Sequence, residues 1–60
     1  MKTQRINNSA TVARYRVDFE SFTEQDMTAE QIADLVEPYN FGARWETVGP
    51  NSAVLSVYID

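Results

Sequence analysis

The chain is expected to fold as one small α+β domain in the order strand, helix, strand, strand, with a three-stranded antiparallel-type sheet and one helix on one face. Three observations predict this. Residues 13–20 alternate apolar and polar side chains. Residues 28–39 carry an apolar stripe of helical period behind a strong capping signal. Residues 43–59 hold two further alternating runs separated by Gly49-Pro50-Asn51-Ser52. Sixty residues leave room for one core, close to the size at which a core alone is marginal.

Each element has its own justification. Residues 1–9 are expected to be a flexible polar arm, because Asn7, Asn8 and Ser9 precede the first periodic run; residues 10–60 form the domain. The first strand, about residues 10–20, sets Ala13, Tyr15, Val17 and Phe19 on one face. Arg14, Arg16, Asp18 and Glu20 fall on the other. Thr28 is placed to cap the helix, with Gln31 reaching back as its partner and Met27 packing on Ile32 across the cap. At ~100° per residue, Ala29, Ile32, Ala33, Leu35, Val36 and Tyr39 share the core face, while Glu30, Asp34 and Glu37 gather opposite. Pro38 disfavours helix at Glu37, so regular helix should end near residues 36–39, with Asn40 or Gly42 taking a left-handed exit.

The last two strands read as a hairpin. Ala43, Trp45 and Thr47 alternate with Arg44, Glu46 and Val48, and Leu55, Val57 and Ile59 with Val54, Ser56 and Tyr58. A right-handed crossover through the helix would place the first and last strands side by side. Tyr39 and Trp45 are expected in the core or at its edge, being in register with apolar neighbours. Phe22 is left between two positions, closing the core at the strand-to-helix turn or standing exposed on the open face beside Glu20.

Charge divides the chain. Seven of its nine acidic residues, Asp18, Glu20, Glu24, Asp26, Glu30, Asp34 and Glu37, lie between Val17 and Ala43, where there is no lysine or arginine. Lys2, Arg5, Arg14 and Arg16 precede that block and no acid accompanies them. The net charge of -4 is modest, but an uncompensated acidic block makes a field that steers cationic partners.

Chemistry is poorly supplied. There is no cysteine and no histidine, which excludes disulfides and zinc sites of the usual kind and leaves nucleophilic catalysis without its usual activating groups. Asp18-x-Glu20 and Glu24-x-Asp26 offer oxygen atoms to a hard cation, yet neither has the glycine-centred loop or ligand density of an EF-hand. With Gly42 and Gly49 the only glycines, no phosphate-cradling loop exists. No catalytic residue, metal or cofactor is therefore expected. No apolar run approaches the ~18 residues of a membrane span and MKTQRINNS lacks a signal-peptide core, so a cytoplasmic protein without a membrane partner is the expectation.

A surface function fits better. Glu30, Asp34 and Glu37 rise ~6 and ~4.5 Å along a helix, and Asp18 and Glu20 lie ~6.7 Å apart along a strand. These intervals are comparable in scale to the phosphate spacing of nucleic acids, so the carboxylates can stand in for phosphates in a basic groove. DNA mimicry against a DNA-processing enzyme is the mechanism this implies, with no direct binding of nucleic acid. A rival is a single-strand-binding platform built from Arg14, Arg16, Arg44 and Tyr58, opposed by Asp18, Glu20 and Glu46 on the same face. A third reading, a homodimerising structural module, rests on the small core and an open sheet edge.

The segment Glu20-Ser21-Phe22, at a strand end and followed by an acidic loop and helix, resembles the Glu-Ser-Ile element of phage-encoded uracil-DNA glycosylase inhibitors. The resemblance covers about a third of the chain, whose later acidic positions are spaced differently from that family's. It implies that Glu20 and Ser21 occupy the phosphate-binding part of the enzyme's DNA cleft and that Phe22 replaces the aliphatic residue. Asp18, Glu24, Asp26, Glu30, Asp34 and Glu37 would extend the partner-binding surface. The implied partner is uracil-DNA glycosylase; a CRISPR effector or restriction enzyme would be opposed by the same physics.

Overall fold

A computed structural model describes all 60 residues. It contains β1 (Lys2–Arg5), β2 (Val12–Asp18), α1 (Phe22–Gln25), α2 (Ala29–Val36), β3 (Ala43–Val48) and β4 (Ser52–Tyr58). The sheet runs β1-β2-β4-β3, and every neighbouring pair is antiparallel. The expected strand, helix, strand, strand segment is present as β2, α2, β3 and β4, with β2 beside β4. The expectation of three strands and one helix is nevertheless overturned: the sheet has four strands and the chain two short helices.

The extra strand comes from residues assigned to a flexible arm. Lys2–Arg5 pairs with β2, Thr3 opposite Val17 and Arg5 opposite Tyr15. All four of its residues are exposed, so it has no apolar face and therefore no alternation to read. What ties it down is polar. The Asn7 side chain donates to the Val12 carbonyl at 2.8 Å and accepts from the Arg14 amide at 2.9 Å, adding side-chain rungs beside the ladder. Ser9 Oγ accepts from the amides of Thr11 and Val12, and Arg5 donates to the Ser9 carbonyl. Asn7, Asn8 and Ser9 thus belong to a hairpin loop, in keeping with the turn chemistry of Asn and Ser.

The extra helix, α1, is a single turn with no buried residue. Ser21 caps it by accepting from the Glu24 amide. The Ser21-x-x-Glu24 spacing is the local signal for such a cap, and it goes unnoticed because no apolar stripe follows it. In α2 the capping box is complete: Thr28 Oγ1 accepts from the Gln31 amide at 3.1 Å, and Gln31 Oε1 accepts from the Thr28 amide at 2.9 Å. The helix stops at Val36. Glu37, ahead of Pro38, leaves the helical region at φ -139°, ψ 83°, and Gly42 supplies a positive φ of 127° before β3.

The core lies between α2 and one sheet face. Ile32, Leu55, Val17 and Val57 are its large buried members, interleaved with Ala13, Ala29, Ala33 and Ala53. Cross-strand pairs Ala13–Val57, Tyr15–Leu55 and Val17–Ala53 put both central strands in phase. Met27 packs against this cluster, as its place before the cap implied, and Trp45 closes its edge with Phe19, the two rings meeting edge to face at 6.1 Å.

Three placements differ from expectation. Leu35 is 64 % exposed, because it sits ~100° around the axis from Val36, on the rim of the stripe. Tyr39 is 93 % exposed rather than core: it lies past the helix end, where the helical projection no longer applies. In β3 a bulge between Trp45 and Thr47 adds one residue, so Thr47 pairs with Val54 and Val48 with Ala53. Thr47 therefore joins the open face instead of following Trp45.

Candidate partner-binding surface

The acidic block is dispersed over four separate places. Asp18 ends β2 on the open sheet face, where its Oδ1 accepts from Arg16 Nε at 3.1 Å, both side chains being well exposed. Asp26 is the exposed C-cap of α1. Glu30 and Asp34 belong to α2 on the side away from the sheet, whereas Glu37, at the helix exit and expected on that same side, turns back toward Tyr15 of β2. A continuous ladder from β2 to α2 is therefore not formed. The strand ends at Asp18, and the chain turns into α1 before Glu24 and Asp26 are reached.

Glu20 and Glu24 converge on the amino-terminal ammonium of Met1, at 2.7 and 2.8 Å. Glu24 also accepts from the Glu20 amide through its other oxygen at 2.7 Å. Met1 itself packs against the core, so this ion cluster fastens β1 across the end of β2. Ser21, spent as the α1 cap, lies beside it. Phe22 stands 83 % exposed on α1, away from the core and off the sheet altogether. With Phe19, Glu20, Ser21, Gln25 and Asn51 it lines an open depression of about 320 Å³.

The ion cluster has a defined pH range. Hydrogen bonds to Glu20 and then Glu24 hold the ammonium's pKa above its ordinary 8.0, and the ammonium followed by the Glu20 amide holds Glu24 below 4.5. A raised amine stabilises the fold fully below pH 8.0 and ceases to do so as pH rises through its folded value. A depressed carboxylate contributes above pH 4.5 and is lost as pH falls through its folded value. Attachment of β1 is accordingly expected to be tightest between pH 4.5 and 8.0. Amide exchange at Gln4 and Ile6, whose N–H groups face β2, should, once corrected for intrinsic rates, show greatest protection in that window; protection independent of pH on both sides would mean that the ion cluster does not hold the strand.

The open sheet face is the basic side of the molecule, but it is half neutralised. Arg14 donates to Glu46 Oε2 through Nε at 3.0 Å and Nη2 at 2.7 Å, while Ser56 Oγ donates to Glu46 Oε1 at 2.5 Å. The Ser56 hydroxyl, followed by Arg14, holds the Glu46 carboxyl below its ordinary range. With Arg16 paired to Asp18, only Lys2 and Arg44 on this face lack an ion-pair partner. By contrast, Asp26, Glu30, Asp34 and Glu37 form no salt bridge at all. Asp34 accepts from Asn40 Nδ2 at 2.9 Å, and Glu37 lies near the Tyr15 phenol, whose pKa is raised by burial and then by that negative charge.

Sequence reasoning missed the loop that follows α2. Phe41 is 76 % exposed and Tyr39 more so, with Asn40 turned inward between them. The sequence predicts Asn40 only as a helix exit, and the one signal for its inward turn is the tendency of asparagine to bond neighbouring backbone. No group of three or more histidine, cysteine or acidic side chains is arranged to hold a metal ion, and no helix is long and apolar enough to cross a membrane. Compared with known proteins, the chain matches no family model, no curated protein and no solved structure.

Proposed function

We propose that this protein is a non-enzymatic inhibitor that occupies the DNA-binding groove of a DNA-processing enzyme, its carboxylates standing where backbone phosphates would lie. Uracil-DNA glycosylase is the first target to test. The observation that carries this reading is the uncompensated acidity of the helical side: Asp26, Glu30, Asp34 and Glu37 have no cationic partner within the molecule. Adjacent like charges on a helix cost a few tenths of a kcal/mol per pair, and Glu30 and Asp34 stand four apart. A cationic groove supplies the missing counter-charges.

The Glu20-Ser21-Phe22 resemblance adds a second contact region. Glu20 keeps 57 % of its side chain exposed while bonded to the ammonium, so a partner's cation can share it. Phe22 projects freely beside it. Direct binding of single-stranded nucleic acid is less well supported, because two of the four cations on the open face are already paired and the acidic side repels phosphate.

Competition is the decisive property. In a uracil-excision assay at fixed inhibitor, raising the concentration of uracil-containing DNA should relieve inhibition, provided that enzyme, inhibitor and DNA are mixed together rather than preincubated. An enzyme rate unchanged at near-stoichiometric inhibitor would remove uracil-DNA glycosylase as the target. Mimicry itself fails for any target found bound to DNA and to this protein at once.

A further inference from the structure

We propose that Tyr39 and Phe41 form a preorganised aromatic anchor that enters an apolar pocket on a basic protein surface, while Asp34 and Glu37 pair with the cations around that pocket. This rests on the reading that the helical side meets a cationic partner, and it names the apolar contact that such a partner must offer.

Neither ring packs against the core, and both lie largely in solvent, so they contribute little to folding. Yet the backbone carrying them is held at several points. Asn40 Nδ2 donates to Asp34 Oδ1 at 2.9 Å and to the Glu37 carbonyl at 2.7 Å, and Asn40 Oδ1 accepts from the Gly42 amide at 2.9 Å. The Phe41 amide donates to the Tyr58 carbonyl at 2.7 Å, and the Tyr58 amide donates to the Gly42 carbonyl at 2.8 Å. The loop is thereby fastened to the helix end on one side and to the end of β4 on the other. Large, stiff aromatic side chains on a fixed backbone lose little entropy when bound, which is the usual character of an interface anchor.

The occupant follows from the charges. Asp34 is bonded to the residue between the two rings, and Glu37 is two positions from Tyr39. A two-fold contact between copies of this chain through the same patch would set these carboxylates against their own images. Nucleic acid would bring phosphates to them. A protein surface rich in lysine or arginine with an apolar recess satisfies both the rings and the acids.

The test uses the intact ¹⁵N-labelled protein at low salt and two synthetic peptides of equal positive charge. One contains only Lys, Arg, Gly and Ser; the other carries a central Trp-Leu pair. The apolar peptide is expected to bind about tenfold more tightly, with the largest shifts at the amides of residues 39–42. The double variant Tyr39→Ser, Phe41→Ser should abolish that preference while the spectrum of the core stays unchanged, and Tyr39→Phe should retain it. Equal binding of both peptides by the parent protein would overturn the anchor and leave the acidic surface standing. Failure of both peptides to bind would overturn both. Concentration-dependent broadening at residues 39–42 that the double variant lacks would assign the rings to a second copy and overturn the proposal.

Discussion

Ile32→Ala is expected to unfold a large share of the molecules at room temperature. Ile32 is completely buried where α2 meets the sheet, and truncation there removes transfer free energy and leaves a cavity, together ~2–5 kcal/mol. A domain of this size holds roughly 3–9 kcal/mol in total. The loss is therefore comparable with the whole stability. Leu35→Ala, three positions along the same helix, should cost under ~0.5 kcal/mol, because that side chain is largely in solvent. Urea denaturation followed by far-ultraviolet circular dichroism measures both. Equal costs for the two variants would show that the packing of α2 on the sheet is not the one described, and with it the outward orientation of Glu30 and Asp34.

Removing the acidic helical side should move stability and association in opposite directions. In the triple variant Glu30→Gln, Asp34→Asn, Glu37→Gln, the amide at position 34 can still accept from Asn40, and the like-charge neighbours Glu30 and Asp34 disappear. Thermal stability should stay level or rise by a few tenths of a kcal/mol. If these carboxylates steer the protein into a basic groove, its association rate with the target enzyme should fall by about tenfold or more at low salt, and the salt dependence should flatten. Stopped-flow or surface-based kinetics at two ionic strengths gives the answer. An association rate equal to that of the parent protein at low salt would make the acidic side a solvated surface with no part in recognition.

Local signals that need only neighbouring residues were legible from the chain. The Thr28–Gln31 cap, the end of α2 before Pro38, the alternation of β2 and β4 and the hairpin at Gly49-Pro50-Asn51-Ser52 all follow from side-chain reach or backbone restriction over a few positions. So did the side-by-side placement of β2 and β4, which follows when the helical crossover leaves β2 and β3 parallel and β4 pairs antiparallel between them. The separation of charge was equally plain, since it is a property of the sequence itself.

Other features depend on partners distant in sequence. Lys2–Arg5 has no amphipathic pattern and is a strand because β2 offers it an edge and Asn7 bridges the turn. Glu20 and Glu24 look like free carboxylates until folding brings the Met1 ammonium between them. Glu46 likewise meets Arg14 only across β4, and the bulge beside it decides which way Thr47 faces. Tyr39 falls on the apolar stripe of an uninterrupted helix, but the break at Glu37 and the bonds of Asn40 turn it to solvent. The sequence by itself determined which residues are acidic, which are apolar and where the chain must cap or turn, because short-range sterics and hydrogen bonding suffice for these. Only the tertiary structure decided which charges are compensated and which aromatic rings remain exposed, because both depend on what long-range pairing places beside them.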